Sequence, residues 1–537
     1  MIDDYRDEIY GHVGELSSEE KKCRGVTYTP LHIVEYINSA IVGEFNGDWK
    51  DFKVLDLSCG TGVFLIDMLE RLRSKTKLDY KTLIERNIYG LDIDQEAIRQ
   101  AKSIFKKIAG EPVKCNLHCG NSLDKNFVHK HLGDQKFQAV VGNPPYVKIQ
   151  NMSDTEKELL GQFELLSGNT DLYLAFYELG IERIDEEGFL GYVSSNTFLK
   201  NNSGKRLCQH MLDSGLLHEL IDFKQTQVFD NLSTYACICL LSRQNSRYTY
   251  REPKSHDKKF HRVDVDSMHT CKKKHSVSVE NIAIHNSDVK IIDKLENSGP
   301  SLLDLFHIRV GLATLADKVF MPGPSVGEDG SLLIFDDGVK IEKSILQRCV
   351  KASKIKTEKD LIDSKSYIIF PYKRINNSMS VMSEEELLNE YPNAHEYLSK
   401  HRDVLDRRDK GKKRNYQWYE YGRTQGLNTL WGEKLILSPL SLQPAFVHCR
   451  IEHMLYLSGY ALFPKDDHNI LLCQKVLESQ MMKLYVDKRS KKMRSGWNVY
   501  SKEFIKNFSI PVDKLDDSML SMEQDKFEKQ LKELYGV

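Results

Sequence analysis

Four residues, Asn143-Pro144-Pro145-Tyr146, follow directly on the apolar run Phe137-Gln138-Ala139-Val140-Val141-Gly142. Neither proline can donate to a ladder, so a strand that stops there leaves its last carbonyls without ladder partners. Backbone acceptors, the Asn143 amide and an aromatic ring are thereby gathered at one carboxyl edge. The set suits a planar amino group such as the exocyclic nitrogen of adenine, with acceptors on its hydrogens and a ring against its face. Taken alone, the same tetrapeptide also fits a plain turn.

Two further segments bear on a ligand. Val54 to Ile66, with Asp56, Ser58, Gly60 and Gly62, reads as a buried strand, a glycine-rich turn and an amphipathic helix. The two glycines permit close approach of backbone to ligand. The turn lacks the third glycine of the dinucleotide fingerprint, which points to a nucleotide-like ligand other than NAD. Next, Ile88-Tyr89-Gly90-Leu91-Asp92-Ile93-Asp94 reads as a second strand ending in carboxylates. Asp92 stands where an acid binds a ribose diol, and Asp94 reads as the cap of a helix starting near Glu96.

Short apolar strands alternate with helical patterns from about Lys53 to Ser242, as in a doubly wound parallel sheet. Leu31 to Ile41 is expected to be a helix begun by Thr29-Pro30. Gly188–Val193 and Tyr235–Leu241 read as later strands, and Met522–Tyr535 as a charged terminal helix. With 537 residues, two or more domains are expected. No apolar run is long enough to cross a bilayer, and the acidic start Met1-Ile2-Asp3-Asp4 is unlike a signal peptide. The 11 cysteines are scattered, and Cys237 and Cys239 sit in apolar strand-like runs, so they read as reduced core residues. Cys115, His118 and Cys119 have no second ligand pair at metal spacing, so no metal is expected. The 76 basic residues are balanced by 77 acidic ones, so any polyanion binding must come from local clusters.

In their order, the glycine turn, ribose acid and Asn-Pro-Pro-Tyr corner resemble the S-adenosylmethionine-dependent amino-methyltransferases. More narrowly, they resemble the gamma-class DNA adenine-N6 methyltransferases, the TaqI-like group. Gly25-Val26-Thr27-Tyr28-Thr29-Pro30 is similar to that family's Tyr-Thr-Pro element ahead of the glycine loop. The resemblance implies an α/β fold: a Rossmann-like, mostly parallel class I methyltransferase sheet, then a mixed α+β target-recognition domain. The implied divisions are a lead-in at 1–25, a catalytic domain at 26–242, a connecting segment at 243–300, target recognition at 301–511, and a C-terminal helix at 512–537.

The implied cofactor is S-adenosyl-L-methionine. By resemblance, Asp56 faces its ammonium, Gly60 and Gly62 allow close approach, Thr27, Tyr28 and Pro30 shape the carboxylate end, and Asp92 takes the ribose. Ser58, Phe64, Ile93, Ser122 and Asn143 complete the implied set. Where the family carries an acid toward the cofactor's adenine, this chain has Asn121, with Asp124 as a substitute. The apolar side chains of Asn169–Phe176 are expected to wall that adenine, and Asp171 reads as a helix cap.

The implied reaction is methyl transfer to N6 of an adenine flipped out of double-stranded DNA, because the base cannot reach such a pocket within a duplex. Adenine's amino lone pair is delocalised into its ring; hydrogen bonds to the Asn143 side-chain oxygen and the Pro144 carbonyl would draw it out of conjugation. Asn143, Pro144, Pro145 and Tyr146 are thus the candidate catalytic residues, with Tyr146 stacking on the base and, by resemblance, Phe229 on its other face or edge. An alternative is an enzyme of the same motif acting on RNA or on a protein glutamine amide. Basic, aromatic-rich stretches in the second half suit phosphate contact, with Arg408, Lys412, Lys413, Arg414, Arg423, Lys491, Lys492 and Arg494 as candidates. No nuclease constellation is evident, so any restriction endonuclease is expected on a separate chain. A cytoplasmic, nucleoid-associated prokaryotic enzyme with no membrane partner is the corresponding expectation.

Overall fold

Asp56 ends a three-residue strand, β1 (Val54–Asp56), that is buried throughout. Such a strand needs cover on both faces, and it lies inside a nine-stranded sheet with eight other members. They are β2 (Ile88–Asp92), β3 (Asn116–Cys119), β4 (Phe137–Gly142), β5 (Ile184–Ser195), β6 (Leu217–Asp222), β7 (Ala236–Ser242), β8 (Arg247–Pro253) and β9 (Met268–Lys274). The sheet order is β3-β2-β1-β4-β5-β7-β6-β8-β9. Strands β1 to β5 run parallel, while β7 is antiparallel to both β5 and β6. Successive residues of β1 and β4 enter different cores. Leu55 and Val140 join one apolar cluster, and Val54, Ala139 and Val141 the other. This alternation is what a sheet covered by helices on both faces requires.

The computed structural model describes residues 2–15, 29–168, 170–229, 235–243, 245–254, 263–376, 378–408, 417–493 and 496–537. The chain forms two compact units, Met1–Val289 and Lys290–Val537. The expected helix after Thr29-Pro30 is present as Leu31–Glu44, and the terminal helix as Gln524–Tyr535. Strands β8 and β9 lie in the stretch expected to be a connection, and they extend the first unit's sheet. The second unit is mixed α+β. Its four-stranded antiparallel sheet pairs Phe306–Val310, Tyr460–Pro464, Lys434–Leu437 and Phe446–Cys449 in that order, beside smaller sheets and short helices.

Candidate active site

Strand order reverses between β1 and β4, and at such a switch point a crevice opens at the carboxyl ends of the strands. A cavity of about 350 Å³ lies there, within the range typical of small-molecule sites. Asp56, Ser58, Gly60, Phe64, Asp92, Ile93, Asn121, Ser122, Asn143 and Pro145 line it, so most of the sequence-predicted residues converge. Gly62 lies behind this wall at φ +92°, where it starts the helix Val63–Thr76. Thr29 lines the cavity, whereas Pro30 does not. Thr27 and Tyr28 lie outside the described residues.

The acidic floor is built by backbone donors. Ser58 N–H donates to Asp56 Oδ1 at 2.9 Å, and Gly60 N–H and Asp94 N–H donate to the two oxygens of Asp92 at 2.7 and 2.8 Å. Burial pushes the Asp56 carboxyl up to about 8, against the pull of the Ser58 N–H, and the Asp92 charge adds to the rise. Burial also raises Asp92, opposed by its backbone donors. Among the described residues, no Lys, Arg or His lines the cavity. Beyond the acids, the wall turns apolar: Ile93 is 65 % exposed beside Leu123, Leu172 and Phe176.

At the proline corner, Gly142 has φ +150° and a Cβ there would come within 2.7 Å of Asp56 Oδ1, so β4 can end only in glycine. The Asn143 amide is fixed from both sides. Its Nδ2 donates to Thr29 Oγ1 at 3.0 Å, and its Oδ1 accepts from the Tyr146 hydroxyl at 2.8 Å. Tyr146 meets Phe229 edge-on, with centroids 6.4 Å apart and planes at 72°, and meets Tyr173 similarly at 6.0 Å. Pro144 and Phe229 are buried.

Two expectations need correcting, those for Asp171 and Arg408. Asp171 caps no helix with its side chain: Tyr173–Arg183 starts from Leu172 without a side-chain cap. Instead Asp171 bridges to Lys148, with Ile149 N–H bonded to the Thr170 carbonyl and Leu172 N–H to that of Val147, which holds this chain alongside the corner. Asn121 Oδ1 already accepts from Leu123 N–H at 2.9 Å, and Asp124 caps the helix Lys125–Leu132. Arg408 is 5 % exposed and its guanidinium donates to the carbonyls of Leu405, Thr314, Trp418 and Glu420. With its donors committed to backbone in the core, it is a structural clamp and no phosphate ligand. Lys492 pairs with Asp487 at 3.3 Å, Lys491 lies over the Phe504 ring, and Arg423 donates to the Gly422 carbonyl. Lys412, Lys413, Arg414 and Arg494 lie outside the described residues. As expected, Asp94 caps its helix through Glu96 and Ala97 N–H. The cavity also takes in Ile9, Tyr10, Asn151 and Glu156, which stand in no motif and gave no sequence signal.

Residues 86–229 match the Eco57I restriction-modification methylase family. The chain is 26 % identical over 505 residues to the Type II restriction enzyme and methyltransferase RM.Eco57I of Escherichia coli, covering 80 % of this chain and 50 % of that one. It thus spans half the length of that relative. It is 24 % identical to the Type II methyltransferase M.BanIII of Aneurinibacillus aneurinilyticus, covering 93 % of this chain and 92 % of the other. Among solved structures, the Type IIL restriction-modification enzyme MmeI in complex with DNA superimposes with a TM-score of 0.60 at 13 % identity, over 97 % of this chain and 73 % of that one. That likeness establishes the fold alone, a large mixed sheet covered by helices on both faces together with further α+β structure.

Proposed function

We propose that this chain, which belongs with the Eco57I-type restriction-modification DNA methyltransferases, methylates N6 of an adenine flipped out of double-stranded DNA, with S-adenosyl-L-methionine as donor. The observation that carries the reading is the junction of two chemistries in one cavity: an acidic floor at Asp56 and Asp92, and an oriented amide at Asn143. The donor set fits the cofactor. The buried Asp56 and half-buried Asp92 carboxylates face a cavity that no cationic side chain of the described residues lines, so a ligand carrying positive charge is the natural complement. The exposed Ile93 and buried Phe176 offer an apolar seat for its adenine. Bound there, S-adenosylmethionine supplies an electrophilic methyl group.

The chain's own groups do the rest. Asn143 Oδ1 has a second lone pair beyond the one taken by the Tyr146 hydroxyl, and with the Pro144 carbonyl it can accept both N–H bonds of an adenine amino group. This withdraws the nitrogen lone pair from the ring and fixes its direction, so placement and charge stabilisation provide the catalysis. Tyr146 offers a stacking face worth roughly 1–3 kcal/mol, which offsets the cost of extrusion. Phe229 is the candidate second ring. Residues 301–511 are read as the target-recognition region, with Arg423, Lys491 and Lys492, and the undescribed Lys412, Lys413, Arg414 and Arg494, as candidate DNA contacts. A cognate restriction endonuclease activity is the proposed partner of the methylase, with modification taking place in the cytoplasm at the nucleoid.

Incubating the chain with unmethylated genomic DNA and labelled cofactor, followed by modification sequencing, tests the reading. The expected product is N6-methyladenine at one short motif, lost in Asn143→Ala. Label in cytosine, or in RNA or protein and not in DNA, overturns it.

A further inference from the structure

The amino-terminal helix Arg6–Glu15 presents Ile9 and Tyr10 to the same cavity that holds Asp56, Asp92 and Asn143. Three contacts seat it there. Thr61, between the two glycines of the turn, donates its hydroxyl to the Ile9 carbonyl at 2.6 Å. Glu8 pairs with Lys107 of the helix Gln95–Ala109 at 2.7 Å. Ile2 and Ile9 are buried in the apolar cluster that also contains Ile98, Ala101 and Phe105 of that helix. The helix itself has few apolar residues and would be marginal in isolation, so its order comes from this docking.

We infer that Ile9 and Tyr10 are cofactor-binding residues, and that the amino-terminal helix is a wall of the cofactor cleft whose seating is coupled to occupancy. This inference rests on the proposed S-adenosylmethionine site and adds to it a contact outside every motif of the glycine turn, the acids or the proline corner. The physical link is Thr61. A ligand lying against the Gly60-Thr61-Gly62 backbone fixes the hydroxyl that anchors Ile9, while the Tyr10 ring covers ligand surface that water would otherwise reach. Both effects stabilise helix and ligand reciprocally, as linkage requires.

The test uses the full-length chain and S-adenosylhomocysteine, the demethylated form of the cofactor. Calorimetry on wild type, Tyr10→Ala and Thr61→Val measures affinity, stopped-flow displacement measures release, and hydrogen exchange follows residues 2–15. Tyr10→Ala is expected to weaken binding by about tenfold, the loss of one good ring contact, mainly through faster release. Thr61→Val is expected to speed exchange of the helix, and ligand to slow it in wild type. Because Tyr10 is half-buried against the same apolar cluster, ligand-free Tyr10→Ala is expected to melt below wild type yet cooperatively, and affinity is compared at a temperature where both are folded, which separates lost contact from lost fold. If wild type binds and Tyr10→Ala binds equally well, with exchange over 2–15 indifferent to ligand, the inference fails while the cofactor reading stands. If wild type binds no S-adenosylhomocysteine, the cofactor reading fails and this inference with it.

Discussion

Asn143 is held with a definite amide orientation: donor to Thr29, acceptor from Tyr146. The first bond matters because an amide turned by half a rotation presents N–H groups to the adenine amino group, which repel it. Thr29→Val removes the only acceptor in that pair and should lower kcat by about 10–100-fold, with cofactor affinity within about threefold of wild type, since the lost interaction positions a group used in the transition state. Tyr146→Phe keeps the ring and loses the hydroxyl, so it should be milder than Tyr146→Ala, which also removes the stacking face. Single-turnover methylation beside equilibrium binding separates these effects; equal loss of cofactor binding in Thr29→Val contradicts the positioning role. Asp56 carries a pH signature. With its carboxyl raised to about 8, it is largely protonated in the ligand-free cleft at neutral pH. A cationic ligand binds the ionised form, so affinity should rise with pH up to about 8 and then level off, with proton release on binding near pH 7. The stability of the ligand-free chain has the opposite sign. A raised folded-state value favours the native state at low pH and loses that contribution as pH climbs through about 8. Calorimetry in buffers of different ionisation heat, repeated on Asp56→Asn, checks both; pH-independent affinity for wild type would contradict the assignment.

The loop between β6 and β7 shows how an element positions the second aromatic ring. Lys224 has φ +52° and reaches back to Asp222 at 3.2 Å, Glu252 of β8 at 3.0 Å and the Ala283 carbonyl at 3.1 Å. Burial lowers the Lys224 ammonium, but the two carboxylates outweigh it and hold it above its ordinary value. Asp222 also takes Asn196 Nδ2 at 2.7 Å, tying the start of the Phe229 loop to the end of β5. Lys224→Met leaves these carboxylates short of a partner and should destabilise the chain by roughly 1–3 kcal/mol in denaturant unfolding. Because Phe229 follows on the same loop, methylation should fall further than cofactor binding does. Apart from the neighbouring Asp222, this strut was not legible in the sequence, since Glu252 and Ala283 lie 28 and 59 residues from Lys224 and carry no motif. Local signals fared better. The glycine turn, the β2 acids, the Asp94 cap and the proline corner were readable because each depends on backbone geometry within a few residues. Reading failed where a side chain's fate was settled by distant packing. Arg408 sits beside a basic run yet is consumed by four carbonyls, and Ile9 and Tyr10 reach the cleft from a stretch that reads as a polar lead-in.

At the scale of the whole molecule, the described lining of the cofactor cavity belongs to Met1–Val289, and the second unit has its own buried core around residues such as Phe320, Tyr421 and Tyr456. On the proposed assignment of target recognition to the second unit, catalytic competence and target choice are separable. A fragment ending just beyond the helix Asn286–Glu296 retains all nine strands of the large sheet and the whole described lining of the cleft. It should bind S-adenosylhomocysteine within about threefold of the full chain, because none of the contacts argued for the cofactor is removed. Its methylation of duplex DNA should drop by at least about 1,000-fold, since specific DNA affinity exceeds non-specific affinity by that order or more and the candidate phosphate contacts all lie beyond residue 400. Short single-stranded oligonucleotides are the discriminating substrate. They spare the enzyme the cost of extrusion, so residual transfer by the fragment should be less impaired on them than on duplex. Measured side by side, cofactor affinity and turnover on the two substrates decide the matter. A fragment that folds and loses the cofactor would place part of the cleft's support in the second unit, whereas a fragment that keeps full duplex activity at one motif would move target recognition into the first.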